Sequence, residues 1–279
     1  MNALLTPDAP TRNLVIVERE KGPPIELVNA LGSELDAVLG ADLVGLYLYG
    51  SSVAGGFEPG ISDVDLVAVS ASELAASVLV ALERMHERVG DRFPEWRDRI
   101  EVVYVSRATL GSFRTCAGAL VVISPGEPFH VRDDPASEWL QNWYLVRKMG
   151  VPLRGAAARD IIAPIAWTEF VAAAIRYADE LRRRDRVGVT AGEIAYTVLT
   201  LCRVLRTVRT DKTGSKQEAA AWVRDRMPDW AWLIEAALVC RQSRGRIGFA
   251  DAASRASAET FIRLIVDEIV LAPARTLHW

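Results

Sequence analysis

The chain has 279 residues, of which 50% are hydrophobic and 25% are charged, a composition typical of a soluble globular protein with one large domain or two ordinary ones. Its net charge of −3 and its pI of about 5.8 argue against a protein that a general basic field holds to nucleic acid. Its three cysteines stand far apart without a CxxC pair, so neither a disulfide framework nor a cysteine-ligated zinc site is indicated.

The chain shows no pattern that predicts membrane insertion or export. Asp8, Arg12 and Glu18 lie where a signal peptide would need an apolar core. Uncharged apolar stretches stay well short of the roughly 18 residues that a membrane span requires. We therefore expect a cytoplasmic protein that is a monomer and has no membrane partner.

The first elements along the chain are an irregular arm and a helix. Residues 1–24 contain four prolines and predict irregular structure. The next stretch, IELVNALGSELDAVLG, has apolar residues at a spacing of three to four, which predicts a helix that ends at Gly40.

Three short runs that follow are rich in β-branched and aromatic residues. They predict central strands at 43–49 (LVGLYLY), 64–70 (VDLVAVS) and 100–106 (IEVVYVS). Between the second and third strand lies a helical pattern that ends at Gly90. The run LVVISPG at 120–126 indicates a further strand or an edge segment.

From about Asp134 the pattern becomes helical. The stretch DPASEWLQNWYLVRKMG has Asp134 as a helix N-cap, Pro135 at the first helical position and Gly150 at its end. Further helices are predicted at 164–184, 191–209, 215–226, 229–241 and 253–271. We therefore predict an α+β fold, with an N-terminal α/β domain that holds a small mixed sheet (1–155) and a C-terminal all-α bundle (156–279).

The second predicted strand carries two carboxylates, Asp63 and Asp65, one residue apart. They share one face of the strand, because side chains alternate with a period of two. Ionised side chains are costly to bury unless they are paired or coordinate a cation. Glu101 opens the third strand as Asp63 opens the second, so the three carboxylates could converge at one edge of the sheet.

A turn at Gly50 and Ser51 follows the first strand directly. Such a turn offers backbone N–H groups and hydroxyls to a phosphate. Hard oxygen ligands beside a phosphate-binding turn suit Mg²⁺ that carries a nucleoside triphosphate.

This combination resembles the nucleotidyltransferase superfamily of the DNA polymerase β type. Its motif is an apolar strand, Gly-Ser, a loop, Asp-apolar-Asp and a third carboxylate on a later strand, and here it is LYGSS, SDVDLV and RIEVVYV. The second half is similar to the helical domain of aminoglycoside adenylyltransferases that modify streptomycin and spectinomycin, with a VLTL-x-R helix, a TG turn and a Lys followed by AA-x-W. The resemblance spans most of residues 43–240.

The resemblance implies an enzyme that uses ATP as co-substrate together with two Mg²⁺ ions. The expected metal ligands are Asp63, Asp65 and Glu101, and Glu101 would also be the general base on the drug hydroxyl. The residues expected to bind ATP are Gly50, Ser51, Ser62, Arg203 and Lys216. The residues expected to face the acceptor, a small hydroxylated cation, are Glu193 and Tyr196.

The chemistry of such a transfer agrees with these residue types. Two metal ions stabilise the attacking and the leaving oxygen at the α-phosphorus. Cationic Arg and Lys side chains neutralise the charge that builds on departing pyrophosphate. A carboxylate within hydrogen-bond reach removes the hydroxyl proton.

The residues of the helical half also have purely structural readings. Ser215 with Glu218, and Thr190 with Glu193, have the S/T-x-x-E spacing of a capping box. Arg203 could be an exposed side chain whose stem covers apolar surface. The sequence is compatible with both the structural and the functional interpretation of these residues.

The sequence departs from the family at the tract RRRDRVGV, which ends at Val189. Family members that accept streptomycin carry a Trp and an Asp near this point, whereas Arg182 and its neighbours offer cations. Spectinomycin is therefore favoured over streptomycin. The loop before Asp63 is also one residue longer, through Ile61, a change that bears on the position of Ser62.

Two other functions compete with this one. The same catalytic half could transfer a nucleotide to a protein or an RNA end, as nucleotidyltransferase toxins do, but the acidic pI disfavours RNA. A non-catalytic nucleotide sensor could keep the fold, but it would have no need of a base at Glu101.

Overall fold

The computed structural model describes residues 22–115, 118–132, 136–184 and 189–271. The strands are β1 (Leu43–Tyr49), β2 (Val64–Ser70), β3 (Ile100–Ser106), β4 (Leu120–Ser124), β5 (Glu127–Arg132) and β6 (Val151–Arg154). The α-helices of the sheet-containing half are α1 (Ile25–Leu39), α2 (Ser51–Ala54), α3 (Ala76–Arg92), α4 (Arg107–Gly111) and α5 (Leu140–Met149). Those that follow β6 are α6 (Ala158–Ile161), α7 (Trp167–Arg183), α8 (Ala191–Thr210), α9 (Lys216–Arg224), α10 (Ala231–Gln242) and α11 (Ala252–Val270).

The six strands form one mixed sheet in the order β5-β4-β3-β2-β1-β6. Strands β2 and β3 pair in parallel, and every other neighbouring pair is antiparallel. The parallel pair needs a crossover connection, and α3 supplies it. The predicted α+β class with a mixed sheet is confirmed.

The two faces of the sheet have different partners. Even-numbered side chains of the central strands, such as Leu66 and Val102, pack with α1 and α3 in one apolar core. Odd-numbered side chains, such as Val67 and Val103, pack with α5, α6 and part of α7 in a second core. Asp65 of β2 and Glu101 of β3 therefore lie on the second face, toward the helical half.

Helix α8 is the centre of the helical half. Twelve of its twenty residues are buried, and it packs against α7, α9, α10 and α11. A helix that is apolar on most sides is stable only inside a core. Its position fixes where the few polar side chains of α8 emerge.

The predicted elements differ from the observed ones in a few places. Helix α3 continues two residues beyond Gly90, so this glycine does not end it; a side chain there would lie against Arg97, with a Cβ 3.3 Å from its Cγ. Strands β5 and β6 are additional to the predicted set. The predicted cap at Asp134 and Pro135 lies outside the described residues, after which a short 3₁₀ turn leads into α5. The end of α1 before Gly40 is confirmed by a positive φ of 53° there.

Within the described ranges, no helix combines the length and the apolar character that a bilayer crossing needs.

Candidate active site

Polar side chains form a row across the second face of the sheet. Tyr49 of β1 pairs with Asp65 of β2, and Asp65 pairs with Glu101 of β3. Ser124, at the end of β4, donates a hydrogen bond from Oγ to Glu101 Oε2 over 3.1 Å. We call Tyr49, Asp65, Glu101 and Ser124 the polar row. Strand pairing alone therefore brings two of the three predicted carboxylates side by side.

The turn after β1 closes directly on Asp65. Gly50 has a φ of 65°, and a Cβ at this position would lie 1.9 Å from Asp65 Oδ2. Only glycine accepts both this conformation and this approach. The backbone N–H of Ser51 donates a hydrogen bond to the Asp65 carboxylate. That N–H holds a candidate metal ligand in place, and the predicted contact of Ser51 with ATP phosphate stays a prediction.

The three carboxylates concentrate negative charge in a partly buried place. Burial raises the pKa of Asp65 well above its usual range, and the charges of Glu101 and Asp63 raise it further. Burial also raises the pKa of Glu101, against the hydrogen bonds from Ser124 and Tyr49 that lower it. The pKa of Asp63 is raised by burial and lowered by nearby cations, Lys216 first among them.

The chemistry of this donor set fits Mg²⁺. In the part of the chain that the structure describes, no group of three acidic, histidine or cysteine side chains forms a ready-made metal cage. Mg²⁺ does not need one, because it is usually held by one or two carboxylates together with water and substrate phosphates. A divalent cation beside Asp63 and Asp65 would also offset the repulsion from Glu101 and Asp63 that raises the pKa of Asp65.

Cations from the helical half face the carboxylates. Lys216 is the first residue of α9, and its Nζ lies 4.3 Å from the centre of the Tyr196 ring. Burial lowers the pKa of Lys216 to about 7, and the charges of Arg203 and Arg241 lower it further, while Asp63 and Asp65 oppose them. A cluster of cations such as this one favours the binding of an anionic group, for example a triphosphate.

Both capping boxes of the helical half are present. Ser215 Oγ accepts from the N–H of Glu218 over 3.1 Å, and Glu218 Oε2 accepts from the N–H of Ser215 over 3.0 Å. Thr190 and Glu193 form the same arrangement at the start of α8. The cap at α9 does not compete with the position of Lys216, because it uses only the two neighbouring side chains.

Glu193 and Tyr196 lie one turn apart on α8, and both are exposed. Oε2 of Glu193 accepts 2.7 Å hydrogen bonds from the backbone N–H and the hydroxyl of Thr190. The Tyr196 hydroxyl lies 3.2 Å from that of Tyr177. Their contact with an acceptor stays a prediction.

The loop between α2 and β2 is tied to the helical half. Glu58 forms an ion pair with Arg241 of α10, and it accepts a 2.7 Å hydrogen bond from Gln217 of α9. Arg244 donates to the carbonyl of Gly60 over 3.1 Å. Arg241 and Arg244 were not among the predicted site residues, although both contribute positive charge at Asp63. Neither has a local motif that would have identified it.

Ser62 is buried within this loop. Its Oγ accepts a 2.9 Å hydrogen bond from the N–H of Glu58, and its carbonyl accepts from the Arg99 guanidinium. The bond to Glu58 uses a lone pair of the hydroxyl and leaves its proton to be donated. The predicted contact with ATP phosphate remains a prediction.

The cationic tract before Val189 is partly neutralised. Arg182 binds Asp179 and Asp267, and Arg183 binds Asp179. Arg184 lies over the ring of Tyr177, 5.9 Å from its centre. Residues 185–188 lie outside the described residues. The repulsion expected from this tract is therefore reduced at its first two arginines.

Comparison with known proteins points in one direction. Residues 160–267 match the model of the aminoglycoside adenylyltransferase C-terminal domain. A spectinomycin 9-adenylyltransferase of Campylobacter jejuni is 24% identical over an alignment of 211 residues, and the match covers 72% of this chain and 79% of that protein.

The fold itself has a counterpart among solved structures. It matches the crystal structure of the spectinomycin adenyltransferase AAD(9) from Enterococcus faecialis with ATP and spectinomycin, with a TM-score of 0.69. The match covers 88% of this chain and 98% of that one at 18% identity. The resemblance to aminoglycoside adenylyltransferases that the motifs indicated is thus confirmed: residues 160–267 match the C-terminal domain of that family, and the fold matches that of AAD(9).

Proposed function

We propose that this protein transfers AMP from ATP to a hydroxyl of spectinomycin or a closely similar aminocyclitol, with the help of Mg²⁺. The observation that carries the proposal is the pairing of Asp65 with Glu101 on adjacent strands, opposite Lys216 and Arg203 of the helical half. The acidic wall, Asp65 and Glu101, suits metal ions and a cationic acceptor. The basic wall, Lys216 and Arg203, suits the phosphates of ATP.

The chain's own residues divide the work of the transfer. The acceptor oxygen attacks the α-phosphorus, the bond to the β-phosphate oxygen breaks, and pyrophosphate leaves. Glu101 takes the proton of the acceptor hydroxyl. Lys216 and Arg203 stabilise the charge that moves onto pyrophosphate.

The metal would be held by Asp63 and Asp65, with Glu101 close enough to join them. When bound, it would supply charge stabilisation for the attacking and leaving oxygens. Asp65 is oriented for this task by the N–H of Ser51, and Gly50 lets the turn approach it.

Two observations support spectinomycin as the acceptor. The two relatives named above are spectinomycin adenylyltransferases. Glu193 has one carboxylate oxygen, Oε1, that is not used by the capping box, and it lies on the exposed side of α8 beside Tyr196. That oxygen could accept a hydrogen bond from one of the secondary ammonium groups of spectinomycin.

The test is a transfer assay with ATP labelled on the α-phosphate, Mg²⁺ and a panel of aminoglycosides. We expect labelled spectinomycin and an equal amount of pyrophosphate, with much less labelled streptomycin. A parallel reaction with γ-labelled ATP should leave the drug unlabelled, which separates nucleotide transfer from phosphate transfer. Labelled streptomycin in excess of spectinomycin would overturn the acceptor preference, and no labelled drug from the panel would overturn the proposed function.

A further inference from the structure

Glu101 receives one hydrogen bond on each oxygen of its carboxylate. The Tyr49 hydroxyl donates to Oε1 over 3.1 Å, and the Ser124 hydroxyl donates to Oε2 over 3.1 Å. The two donors come from different strands, β1 and β4, and approach the carboxylate from different sides. We propose that Tyr49 and Ser124 are positioning residues that fix the orientation of the general base, an inference that rests on the proposed function.

The side-chain lengths of Ser124 and Tyr49 suit the number of strands that separate each of them from Glu101. Ser124 is on the strand next to β3, so a short side chain is sufficient. Tyr49 is two strands away, with Asp65 between them. Neighbouring strands are about 4.8 Å apart, so the donor must reach across about 10 Å, which requires a long and rigid side chain.

The phenol ring of Tyr49 is itself held in place. The residue is 4% exposed and belongs to the core on the second face of the sheet. A donor on a packed ring has little freedom to follow a moving partner, unlike a donor on a lysine or glutamine. Its hydroxyl therefore defines a fixed point for Glu101 Oε1.

Two fixed donors restrict the rotation of the carboxylate. A glutamate side chain otherwise has a broad torsion at its last bond. With Tyr49 and Ser124 each taking one lone pair, a lone pair on each oxygen remains for the acceptor proton. A base that is already oriented avoids the loss of rate that follows from a misplaced group.

The experiment compares Tyr49→Phe, Ser124→Ala and the double variant with the wild-type protein. We expect each single variant to lower kcat roughly 10- to 100-fold, as outer-shell partners of site residues commonly do, with little change in the KM for ATP. Ser124→Thr keeps a hydroxyl and should recover most of the kcat. In a Glu101→Gln background, Tyr49→Phe should have almost no further effect, because there is no base to orient.

Tyr47→Phe is the matched control. Tyr47 is a buried tyrosine on the same strand and face, and its hydroxyl donates to the carbonyl of Ala156 over 3.0 Å, away from Glu101. It should keep the wild-type kcat. An equal loss in Tyr47→Phe, or the same loss from Tyr49→Phe with and without Glu101, would show a general structural effect and overturn the proposal.

Crystal structures of the wild type and of the Tyr49→Phe/Ser124→Ala variant give a readout that does not depend on activity. We expect the Glu101 carboxylate to be rotated or in several conformers in the variant. An unchanged, single orientation would overturn the positioning role. If the wild-type protein modifies no acceptor, the proposed function fails, and these structures still decide whether the two hydroxyls orient Glu101.

Discussion

The acidic and the basic wall of the cleft are built in different ways. Asp65 and Glu101 lie on adjacent strands, so backbone hydrogen bonds fix their relative position. Arg203, Lys216 and Arg241 come from three helices, α8, α9 and α10, and reach the cleft with long side chains. Their relative position depends on how the helical core packs.

This difference separates two kinds of work. The proposed proton transfer and metal binding need a geometry held to a fraction of an ångström, which pairing on adjacent strands can provide. Neutralising the charge of a triphosphate tolerates larger displacements, because electrostatic attraction falls slowly with distance. We therefore expect changes in the acidic wall to lower kcat and changes in the basic wall to weaken ATP binding.

The largest expected effect is that of Asp65→Asn, which should reduce transfer to background. The variant should be as stable as the wild type or more stable, because the folded protein raises the pKa of Asp65 and so disfavours its ionised form at neutral pH. Transfer assays and thermal unfolding measure the two effects. Asp42→Asn is the control and should keep its activity, because Asp42 lies just before β1 and accepts a hydrogen bond from the Ser72 hydroxyl. Substantial transfer by Asp65→Asn would show that the acidic wall does not hold the metal through Asp65.

Glu101→Gln should lower kcat by about 10²- to 10⁴-fold, the usual effect of losing a general base. Glutamine has the same size and can still accept from Tyr49 or Ser124, so ATP affinity should remain near that of the wild type. Steady-state kinetics and calorimetric titration with ATP test both statements. A collapse of ATP affinity together with the rate would mean that Glu101 is mainly a metal ligand.

How far the sequence predicts the two walls follows from the same difference. The positions of Asp65 and Glu101 depend on the two-residue period of a strand and on parallel pairing, which a short stretch of sequence reveals. Tyr49 and Ser124 were not predicted as partners of Glu101, because their role depends on which strands flank β3. The ion pair between Glu58 and Arg241 joins residues 183 positions apart, and no local pattern encodes it.

Local sequence features explain why strands β5 and β6 were not predicted. Strand β6 has only four residues and contains Pro152, which removes a donor and suits an edge position. Strand β5 is the other edge of the sheet, and most of its side chains are at least partly exposed, so it lacks the apolar run of a central strand. Helices α7 to α11 were predicted to within a few residues, because their amphipathic period is a property of the sequence itself, whereas the single turn of α6 is too short to show such a period.

Lys216→Ala should act on the basic wall alone. A hydrogen bond from a charged group contributes about 1.5–3 kcal/mol, so the Kd for ATP should rise by about 10- to 100-fold. Lys212→Ala, four residues earlier and exposed, is the control. Calorimetry with and without ATP should also show that the drug binds well only when ATP is present. Tight binding of drug to the protein without ATP would contradict this order.

The smallest effect concerns the opposite face of the sheet. His86 is 6% exposed, its Nε2 lies 2.6 Å from the Tyr104 hydroxyl, and burial lowers its pKa to about 4. Between pH 6.5 and pH 4 the unfolded chain binds a proton at His86 that the folded chain does not, so the free energy of unfolding falls as the pH falls. Over this range the loss amounts to roughly 3 kcal/mol.

His86→Phe should remove this dependence. When the pH falls from 7 to 4.5, the wild type should therefore lose roughly 2–3 kcal/mol more unfolding free energy than the variant. Denaturant unfolding at several pH values measures it. Transfer at neutral pH should be preserved, since His86 lies away from the cleft. If the unfolding free energies of wild type and variant changed equally with pH, the pKa of His86 would be the same in the folded and the unfolded chain, and the prediction would be wrong.

The polar row also determines where the chain can gain or lose residues. An insertion of one residue within β2 or β3 would change the register of that strand, so Asp65 or Glu101 would no longer share a face with the apolar residues that follow it. An insertion in the turn that ends at Ile61 leaves the pairing of Asp65 with Glu101 intact. Differences in length among such proteins should therefore collect in this turn and in the hairpin between β4 and β5, while the central strands keep a constant length.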